Sequence, residues 1–153
     1  MYLESIATAS PPHAFTQKET WEHLQSNPQT QALRSRSSSI LQKILTQSSS
    51  GIEQRQFVEA DLSKVFSRDA EALNRSYEAA APQLANRALQ SAMQQAAVQP
   101  AEIDALFICS CTGYLCPGPS SHIAEAAGLR ADTYLADLVG LGCGAAIPLS
   151  LIH

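Results

Sequence analysis

The stretch IDALFICSCTGYLCPGPSSHIAEAAGLR at residues 103–130 decides the fold of this chain, together with DLVGLGCGAAIPL at residues 137–149. It opens with a near-continuous apolar run, which is typical of a strand buried on both faces. A loop rich in glycine and proline follows, and then a helix, a second strand, a glycine-rich turn and a further apolar helix. This alternation predicts an α/β layer with a mainly parallel sheet.

The helix inside this stretch is predicted over residues 121–128. Ser120 or Ser121 can cap its first turn through a side-chain oxygen. Gly128 can close its last turn in the left-handed conformation. The second strand is predicted over residues 134–138 because of its apolar and aromatic side chains.

Upstream of residue 100 the chain has helical and strand-like periodicities of its own. They predict a strand over 2–8, a helix over 17–26, a helix over 30–47, a strand over 52–58, and helices over 68–80 and 82–97. Thr16 followed by Glu19 forms a capping-box sequence in front of the first helix. Pro82 is expected to separate the last two helices, because a proline removes a backbone hydrogen bond inside a helix.

The composition excludes several classes of function. Of the 153 residues, 45% are hydrophobic and 16% are charged, which provides enough apolar material for one packed domain. The net charge of −4 and the absence of a Lys/Arg run argue against nucleic-acid binding. The sequence has no apolar segment long enough for a membrane span and no export signal, so a cytoplasmic location is expected.

The four cysteines do not follow a metal-binding pattern. Cys109, Cys111 and Cys116 are spaced C-x-C and C-x4-C, without the paired C-x-x-C spacing of a zinc site. Disulfide bonds are not expected either, because the sequence has no secretion signal.

Cys143 lies between Gly142 and Gly144, after a predicted strand and before a predicted helix. A helix N-terminus offers free N–H groups and a positive potential, which stabilise a thiolate. The small neighbours let a thioester carbonyl approach the sulfur, and a glycine N–H beside it can donate to an oxyanion. The pattern therefore predicts a nucleophilic cysteine that accepts an acyl group.

One other interpretation of this turn stays open on the residues alone. Cys143 can be a small buried hydrophobe, with its glycine neighbours serving close packing between a helix and a strand. A nucleotide site is disfavoured, because Gly140, Gly142 and Gly144 give G-x-G-x-G without the G-x-G-x-x-G spacing or a P-loop lysine.

Several segments, taken in order, resemble the type III polyketide synthases, the chalcone and stilbene synthase-like family of the thiolase superfamily. Residues 103–130 and 137–149 are similar to the family's Thr/Ser-Gly-x-x-x-Pro-Gly loop and cysteine turn. IATASPPHAFTQKE at 6–19 and SGIEQR at 50–55 are similar to its opening element and its S-G-I-x-x-R segment. The resemblance implies that residues 1–153 form the N-terminal half of a thiolase-like layered α/β fold, a mostly parallel sheet packed by helices, without the C-terminal half.

The resemblance also implies an activity and residues for it. The activity is the decarboxylative condensation of polyketide biosynthesis, in which an acyl-CoA starter is extended with malonyl-CoA through a cysteine thioester. Cys143 matches the acyl-accepting cysteine, and Cys111 and Thr112 match the pair that lines the starter-acyl pocket. Cys116 stands where the family usually has a methionine that reaches the partner subunit's cavity, so a homodimer is implied for the full-length form.

Acyl-CoA and malonyl-CoA are implied as substrates, and no tightly bound cofactor or metal is implied. In this family, cations on an early helix hold the coenzyme A phosphates. The helix predicted over 30–47 offers Lys43 for this role, although Gln42 and Leu45 stand where the closest alignment expects basic residues. A solvated cation on a helix face is the alternative role for Lys43.

The family's catalytic set is Cys–His–Asn, and its His and Asn belong to the C-terminal half. His13, His23 and His122 do not match the catalytic position, and His153 is the last residue. We therefore expect a fragment, or the product of a split or truncated gene, that is incomplete for catalysis alone. The apolar helix after Cys143 is expected to expose part of its surface.

Three alternatives to the polyketide interpretation follow from the same residues. The initiating β-ketoacyl-ACP synthases share the fold and the cysteine, and the hydroxymethylglutaryl-CoA synthase type is more distant. A non-catalytic half-domain that binds an intact homologue is the alternative from another class of function. The Thr112-Gly113-x-x-x-Pro117-Gly118 loop and the Gly142-Cys143-Gly144 turn favour the polyketide synthases over the β-ketoacyl-ACP synthases.

Overall fold

The structure, a computed structural model, describes residues 2–47, 51–65, 67–145 and 147. The chain forms two compact units. One is Ser10–Asp69, and the other joins the residues up to Ala9 with the chain from Ala70 onward. Each unit contains a two-stranded sheet.

The Ser10–Asp69 unit combines an antiparallel sheet with short helices. Its elements are β1 (His13–Thr16), α1 (Gln17–Ser26), α2 (Pro28–Gln31), α3 (Ser35–Thr46), β2 (Gln54–Phe57) and α4 (Leu62–Val65). β1 and β2 pair from His13 opposite Phe57 to Thr16 opposite Gln54. The buried apolar side chains of this unit are those of Trp21, Leu45 and Leu62.

The expected capping box at the start of α1 is confirmed. The backbone N–H of Thr16 donates to the Glu19 carboxylate at 2.7 Å, and the Glu19 N–H donates to Thr16 Oγ1 at 3.1 Å. Two of the N–H groups that the first helical turn leaves without a partner are thereby paired. The strand predicted over 52–58 is confirmed as β2.

The single helix predicted over 30–47 is wrong in its first part. α2 ends at Gln31 and α3 begins only at Ser35. Asn27 starts α2 early by accepting a hydrogen bond from the Gln29 N–H, and Pro28 occupies its first position. The break lies at residues 32–34, where Ala32 closes α2 and Arg34 is extended in front of α3, whereas the serine-rich segment lies inside α3.

The strand predicted over residues 2–8 is also wrong. These residues have no regular secondary structure. The Ser5 hydroxyl donates to the Ala92 carbonyl at 2.9 Å, which fixes this segment to the helix that contains Ala92. An alternating pattern defines a strand only if a neighbouring strand pairs with it, and the sequence alone does not name that neighbour.

The second unit carries the stretch that decides the fold. Its elements are α5 (Ala70–Ala96), a 3-10 turn (Pro100–Glu102), β3 (Ala105–Ser110), α6 (Pro119–Ala127), β4 (Tyr134–Val139) and a 3-10 helix (Gly142–Ala145). β3 and β4 pair in parallel, as expected, from Ala105 opposite Tyr134 to Ser110 opposite Val139. α6 packs against both strands and against α5, and its Ile123 side chain is fully buried.

α5 is one helix of 27 residues with Pro82 inside it, so the expected break at Pro82 is wrong. A proline removes a single backbone hydrogen bond, at a cost of about 3 kcal/mol. The flanking alanine, leucine, glutamine and arginine residues are strong helix formers, which outweighs this local loss. Within the ranges that the structure describes, no helix combines the length and the apolar character needed to cross a bilayer.

α6 ends as expected and begins differently. Gly128 adopts a φ of 67° and closes the helix. The helix begins at Pro119, after Gly118, and no side chain of the preceding residue caps it. The expected cap by Ser120 or Ser121 is therefore wrong, and Ser120 lies inside the first turn.

β3 is not buried on both faces, contrary to the expectation from its apolar run. Leu106 is buried, whereas Ala105 and Cys109 are exposed. Phe107 contacts Tyr134 of β4 with ring centroids 5.8 Å apart, and Tyr134 remains 63% exposed. Part of the surface of this apolar strand is therefore not covered by the other described elements.

Arg130 ties together the chain segments that lead into the two strands. Its guanidinium donates to the carboxylates of Asp104 at 2.8 Å and Asp132 at 2.9 Å, and also to the Ala101 carbonyl. The hydrogen bond from Arg130 and its positive charge hold the pKa of the Asp132 carboxyl below its usual value. Because these groups face solvent, the ion pairs contribute little stability individually.

The capping box predicts a pH dependence for the start of α1. The Thr16 backbone and side-chain hydrogen bonds lower the pKa of Glu19 below 4.5. The stabilisation is therefore complete above the pKa of the unfolded chain and is lost as the pH falls through the lower pKa of the folded state. The protection factors of the amides in the first turn of α1, measured between about pH 3 and 7 and corrected for the intrinsic pH dependence of exchange, should fall on acidification. In Glu19→Gln this fall should be absent, and a fall as large as in the unaltered chain would contradict the assignment.

Candidate functional site

The parallel pairing of β3 and β4 brings two irregular segments to one edge of the sheet. The carboxyl ends of the strands, Ser110 and Val139, are register partners. Residues 111–118, here called the β3–α6 loop, and residues 140–145, here called the cysteine turn, leave the sheet from this edge. Functional residues of parallel α/β sheets gather at the carboxyl ends of the strands.

The cysteine turn presents Cys143 on an exposed 3-10 helix. Cys143 is exposed, and the Gly144 N–H donates to the Leu141 carbonyl at 3.1 Å. Ala145 is 1% exposed and anchors the turn. The interpretation of Cys143 as a buried hydrophobe is therefore wrong, because its side chain is open to a reagent from solvent.

The segment after the cysteine turn is described at one position. Ile147 is helical and 66% exposed. Most of the helix predicted after Cys143, including Leu149, Leu151 and Ile152, lies outside the described residues.

The β3–α6 loop carries the three residues expected to line an acyl pocket. Cys111, Thr112 and Cys116 are all exposed. Leu115 is 9% exposed and anchors the middle of the loop in the unit's core. The Cys116–Pro117 peptide bond is cis.

Helix α5 holds the first half of this loop. The Tyr77 hydroxyl donates to Ser110 Oγ at 2.6 Å, and the Ser110 hydroxyl donates to the Thr112 carbonyl at 3.2 Å. The Tyr114 N–H donates to Asn74 Oδ1 at 3.3 Å. Gly113, with a φ of 88°, lies against the Tyr77 ring, and a Cβ there would overlap the ring.

Strand β4 holds the other end of the loop. The Asp137 carboxylate accepts hydrogen bonds from the Ser120 N–H at 3.0 Å and from the Ser120 hydroxyl at 2.6 Å. It thus caps the N-terminus of α6, where a negative charge is favourable. A Cβ on Gly118 would overlap this carboxylate, so the close approach of the loop to β4 requires glycine.

No hydrogen bond joins a histidine to Cys143 among the residues that the structure describes. His122 lies on α6, and His13 and His23 belong to the Ser10–Asp69 unit. His153 lies outside the described residues. Over the described residues, the candidate site therefore consists of Cys143 and the two loops at the same edge of the sheet.

Lys43, the candidate for coenzyme A binding, belongs to the Ser10–Asp69 unit. A cavity of about 610 Å³ lies in that unit between α1 and α3, and Gln42 and Leu45 line it. Lys43 is not one of the lining residues and is exposed. Lys18 is a cation of the lining, and its ammonium lies 3.8 Å from the Glu22 carboxylate. Over the described ranges, no group of histidine, cysteine or acidic side chains is arranged to hold a metal ion.

The model of the FAE1/type III polyketide synthase-like proteins matches residues 6–151, nearly the whole chain. The chain belongs to this family. The match extends past the β3–α6 loop and the cysteine turn, so both segments of the site lie inside it.

Known relatives agree with this assignment. A 1,3,6,8-tetrahydroxynaphthalene synthase of Streptomyces griseus is 28% identical over 139 residues, which cover 91% of this chain and 36% of that protein. PKS-I of the brown alga Ectocarpus siliculosus has a TM-score of 0.79 at 19% identity, covering 95% of this chain and 41% of PKS-I. CsyB, solved in complex with CoA-SH, has a TM-score of 0.74 at 22% identity, and the match covers 97% of this chain and 40% of CsyB.

The chain therefore has the N-terminal part of the thiolase-like α/β fold of these synthases, as expected from the sequence. It spans about two fifths or less of the length of the relatives that it matches.

Sequence reasoning missed Asn74, Tyr77 and Asp137. Each forms a hydrogen bond with a residue between 17 and 40 positions away in the sequence. No local motif marks them, since an asparagine or tyrosine on a helix and an aspartate in a strand have no characteristic neighbours. The one usable signal was Asp137 itself, a charged residue within an otherwise apolar strand.

We expect Asp137→Ala to lower the free energy of unfolding by about 2 kcal/mol, because two charge-assisted hydrogen bonds to Ser120 are lost. Chemical denaturation measures this change. Asp132→Ala, which removes an exposed carboxylate from the loop before β4, is the matched control and should cost much less. Equal losses in the two variants would contradict the capping role of Asp137.

Proposed function

We propose that this chain carries the nucleophile-bearing part of a polyketide-forming acyltransferase, with Cys143 as the residue that accepts the acyl group. The observation that carries the proposal is the family match over residues 6–151, which includes Cys143 on an exposed turn at the carboxyl edge of β4. A nucleophile at this position is accessible to a large thioester from solvent.

The proposed first step is a transfer between two sulfur atoms. The Cys143 thiolate attacks the carbonyl carbon of an acyl-CoA, the carbonyl oxygen takes the negative charge, and coenzyme A leaves as its thiolate. A backbone N–H of the cysteine turn is the proposed donor to this oxyanion; the Gly144 N–H, which donates to the Leu141 carbonyl in this structure, would have to exchange its partner for this role. The products are a Cys143 thioester and free coenzyme A.

Extension of the thioester is proposed for a form that carries the whole family fold. Malonyl-CoA loses carbon dioxide, and the resulting enolate carbon attacks the carbonyl carbon of the Cys143 thioester. The cysteine leaves as its thiolate, and the acyl group, now lengthened by two carbons, is carried by coenzyme A. The chain described here spans about two fifths or less of its relatives. A histidine and an asparagine from the remaining part would supply the base and the second oxyanion donor.

The β3–α6 loop is proposed as one wall of the acyl site. Cys111 and Thr112 follow β3 directly, at the edge from which the cysteine turn leaves β4. Cys116 has a smaller side chain than methionine, so it leaves more room for an acyl chain. Coenzyme A thioesters are the proposed substrates, supported by the family match and by the relative CsyB, whose structure contains CoA-SH. A homodimer is proposed for the full-length form.

Lys43 is a weak candidate for a coenzyme A contact. It is exposed, and the cavity between α1 and α3 does not include it. A contact between Lys43 and a phosphate would therefore form at the surface, where an ion pair is screened by salt.

Acylation by hexanoyl-CoA tests the proposed nucleophile. We expect intact-mass and peptide analysis to find a thioester on the peptide with Cys143, and Cys143→Ala to reduce total labelling by about tenfold or more. Cys109→Ala, on β3, is the matched control and should label like the unaltered chain. Equal labelling of Cys143→Ala and the unaltered chain would overturn the assignment.

A second candidate function, a non-catalytic module that binds an intact homologue, is favoured by one observation. The exposed fractions of Tyr134, Leu141 and Ile147 are 63%, 51% and 66%, which is high for apolar side chains in one unit. This candidate predicts that hexanoyl-CoA leaves Cys143 unlabelled and that the chain co-elutes with an intact family member in size-exclusion chromatography. Labelling at Cys143 without co-elution decides against it.

A further inference from the structure

The pairing between β3 and β4 ends where the β3–α6 loop begins, so it does not fix the backbone of the loop. Ser110 is the last residue of β3, and the loop residues that follow have no strand partner. Thr112, Gly113 and Tyr114 are all exposed. A solvent-exposed loop of this kind is mobile unless side chains from elsewhere fix its backbone.

Two side chains of α5 supply this fixation. The Tyr77 hydroxyl and the Ser110 hydroxyl form a chain of two hydrogen bonds that ends on the Thr112 carbonyl. Each donor in such a chain polarises the next, so the pair is stronger than two isolated bonds. Asn74, one helical turn before Tyr77, accepts the Tyr114 N–H and fixes the backbone two residues further on.

The Tyr77 ring adds a steric constraint to these hydrogen bonds. Gly113 lies between the two fixed backbone groups, and a side chain there would overlap the ring. Its φ of 88° is a conformation that other residues rarely adopt. The half-buried ring therefore determines the path of the backbone from Thr112 to Tyr114, while the hydrogen bonds determine its orientation.

We propose that Tyr77 and Asn74 are positioning residues that set the β3–α6 loop, and with it Cys111 and Thr112, for the acyl group carried by Cys143. The inference rests on the proposed function for the identity of the acyl group. Neither residue touches the reacting atoms in this account. They act through the backbone of the loop, so their loss weakens the binding of the acyl chain more than it changes the thiolate.

Amide hydrogen exchange of the Tyr114 N–H tests the fixation directly. In Tyr77→Phe the ring stays and the first hydrogen bond is lost, so exchange should accelerate by about 3- to 10-fold. Asn74→Ala should accelerate it at least as much, since it removes the acceptor itself. Asn74→Asp retains an oxygen acceptor and should restore protection. Tyr134→Phe, which removes a hydroxyl on β4 that is not part of these contacts, should leave the rate unchanged.

Acylation kinetics with hexanoyl-CoA test the positioning role. In Tyr77→Phe we expect the half-saturating concentration for labelling of Cys143 to rise by about 3- to 10-fold, while the maximal labelling rate stays within about twofold. A general loss of structure would lower the maximal rate as well. Thermal unfolding of each variant verifies that the second unit remains folded.

Three outcomes overturn the proposal. Unchanged exchange at Tyr114 in both Tyr77→Phe and Asn74→Ala shows that α5 does not fix the loop. Faster exchange without a change in the half-saturating concentration shows that the loop does not position the acyl group. Absence of labelling at Cys143 in the unaltered chain contradicts the proposed function itself. This outcome is distinguishable from the first two, because it is observed without any variant.

Discussion

The contact between the Asp137 carboxylate and the first turn of α6 is the constraint on which the candidate site depends. A strand residue here caps a helix that has no cap of its own, through two hydrogen bonds to Ser120. The same carboxylate lies so close to Gly118 that a side chain would not fit. One charged group thus fixes the end of a loop, the start of a helix and the middle of a parallel strand, and it does so where the helix dipole favours a negative charge.

The opposite end of the loop is fixed by different chemistry. Neutral hydrogen bonds hold residues 112–114: Asn74 accepts one from the Tyr114 N–H, and Tyr77 donates to Ser110, whose hydroxyl donates to the Thr112 carbonyl. The Tyr77 ring packs against the same segment. The segment is therefore attached to α5 at its beginning and to β4 at its end, with Leu115 buried between. A loop held in this way can present Cys111 and Thr112 to solvent and still keep one shape, as the wall of a binding site requires.

Cys143, the proposed nucleophile, has a simpler support. Cys143 follows β4 by four residues and stands on a short 3-10 helix between two glycines. Its exposure agrees with a role toward a large thioester, and the family match places the turn and the loop in the same synthase fold. The Ser10–Asp69 unit has a cavity of its own, whose lining includes Lys18 and does not include Lys43.

The sequence alone determined the elements whose causes are local: the capping box at Thr16 and Glu19, the strand at Gln54–Phe57, the parallel strands around the loop and the turn with Cys143. It also determined the family, because several short motifs occur in order. It failed where distant residues decide: residues 2–8 find no strand partner, and α6 takes its cap from β4. It also failed at Pro82, where the helix propensity of the flanking residues outweighs the effect of the proline. Only the tertiary structure decided which side chains fix the loop. Hydrogen bonds between residues 17 to 40 positions apart depend on how the chain folds back on itself, and local periodicity carries no record of that path.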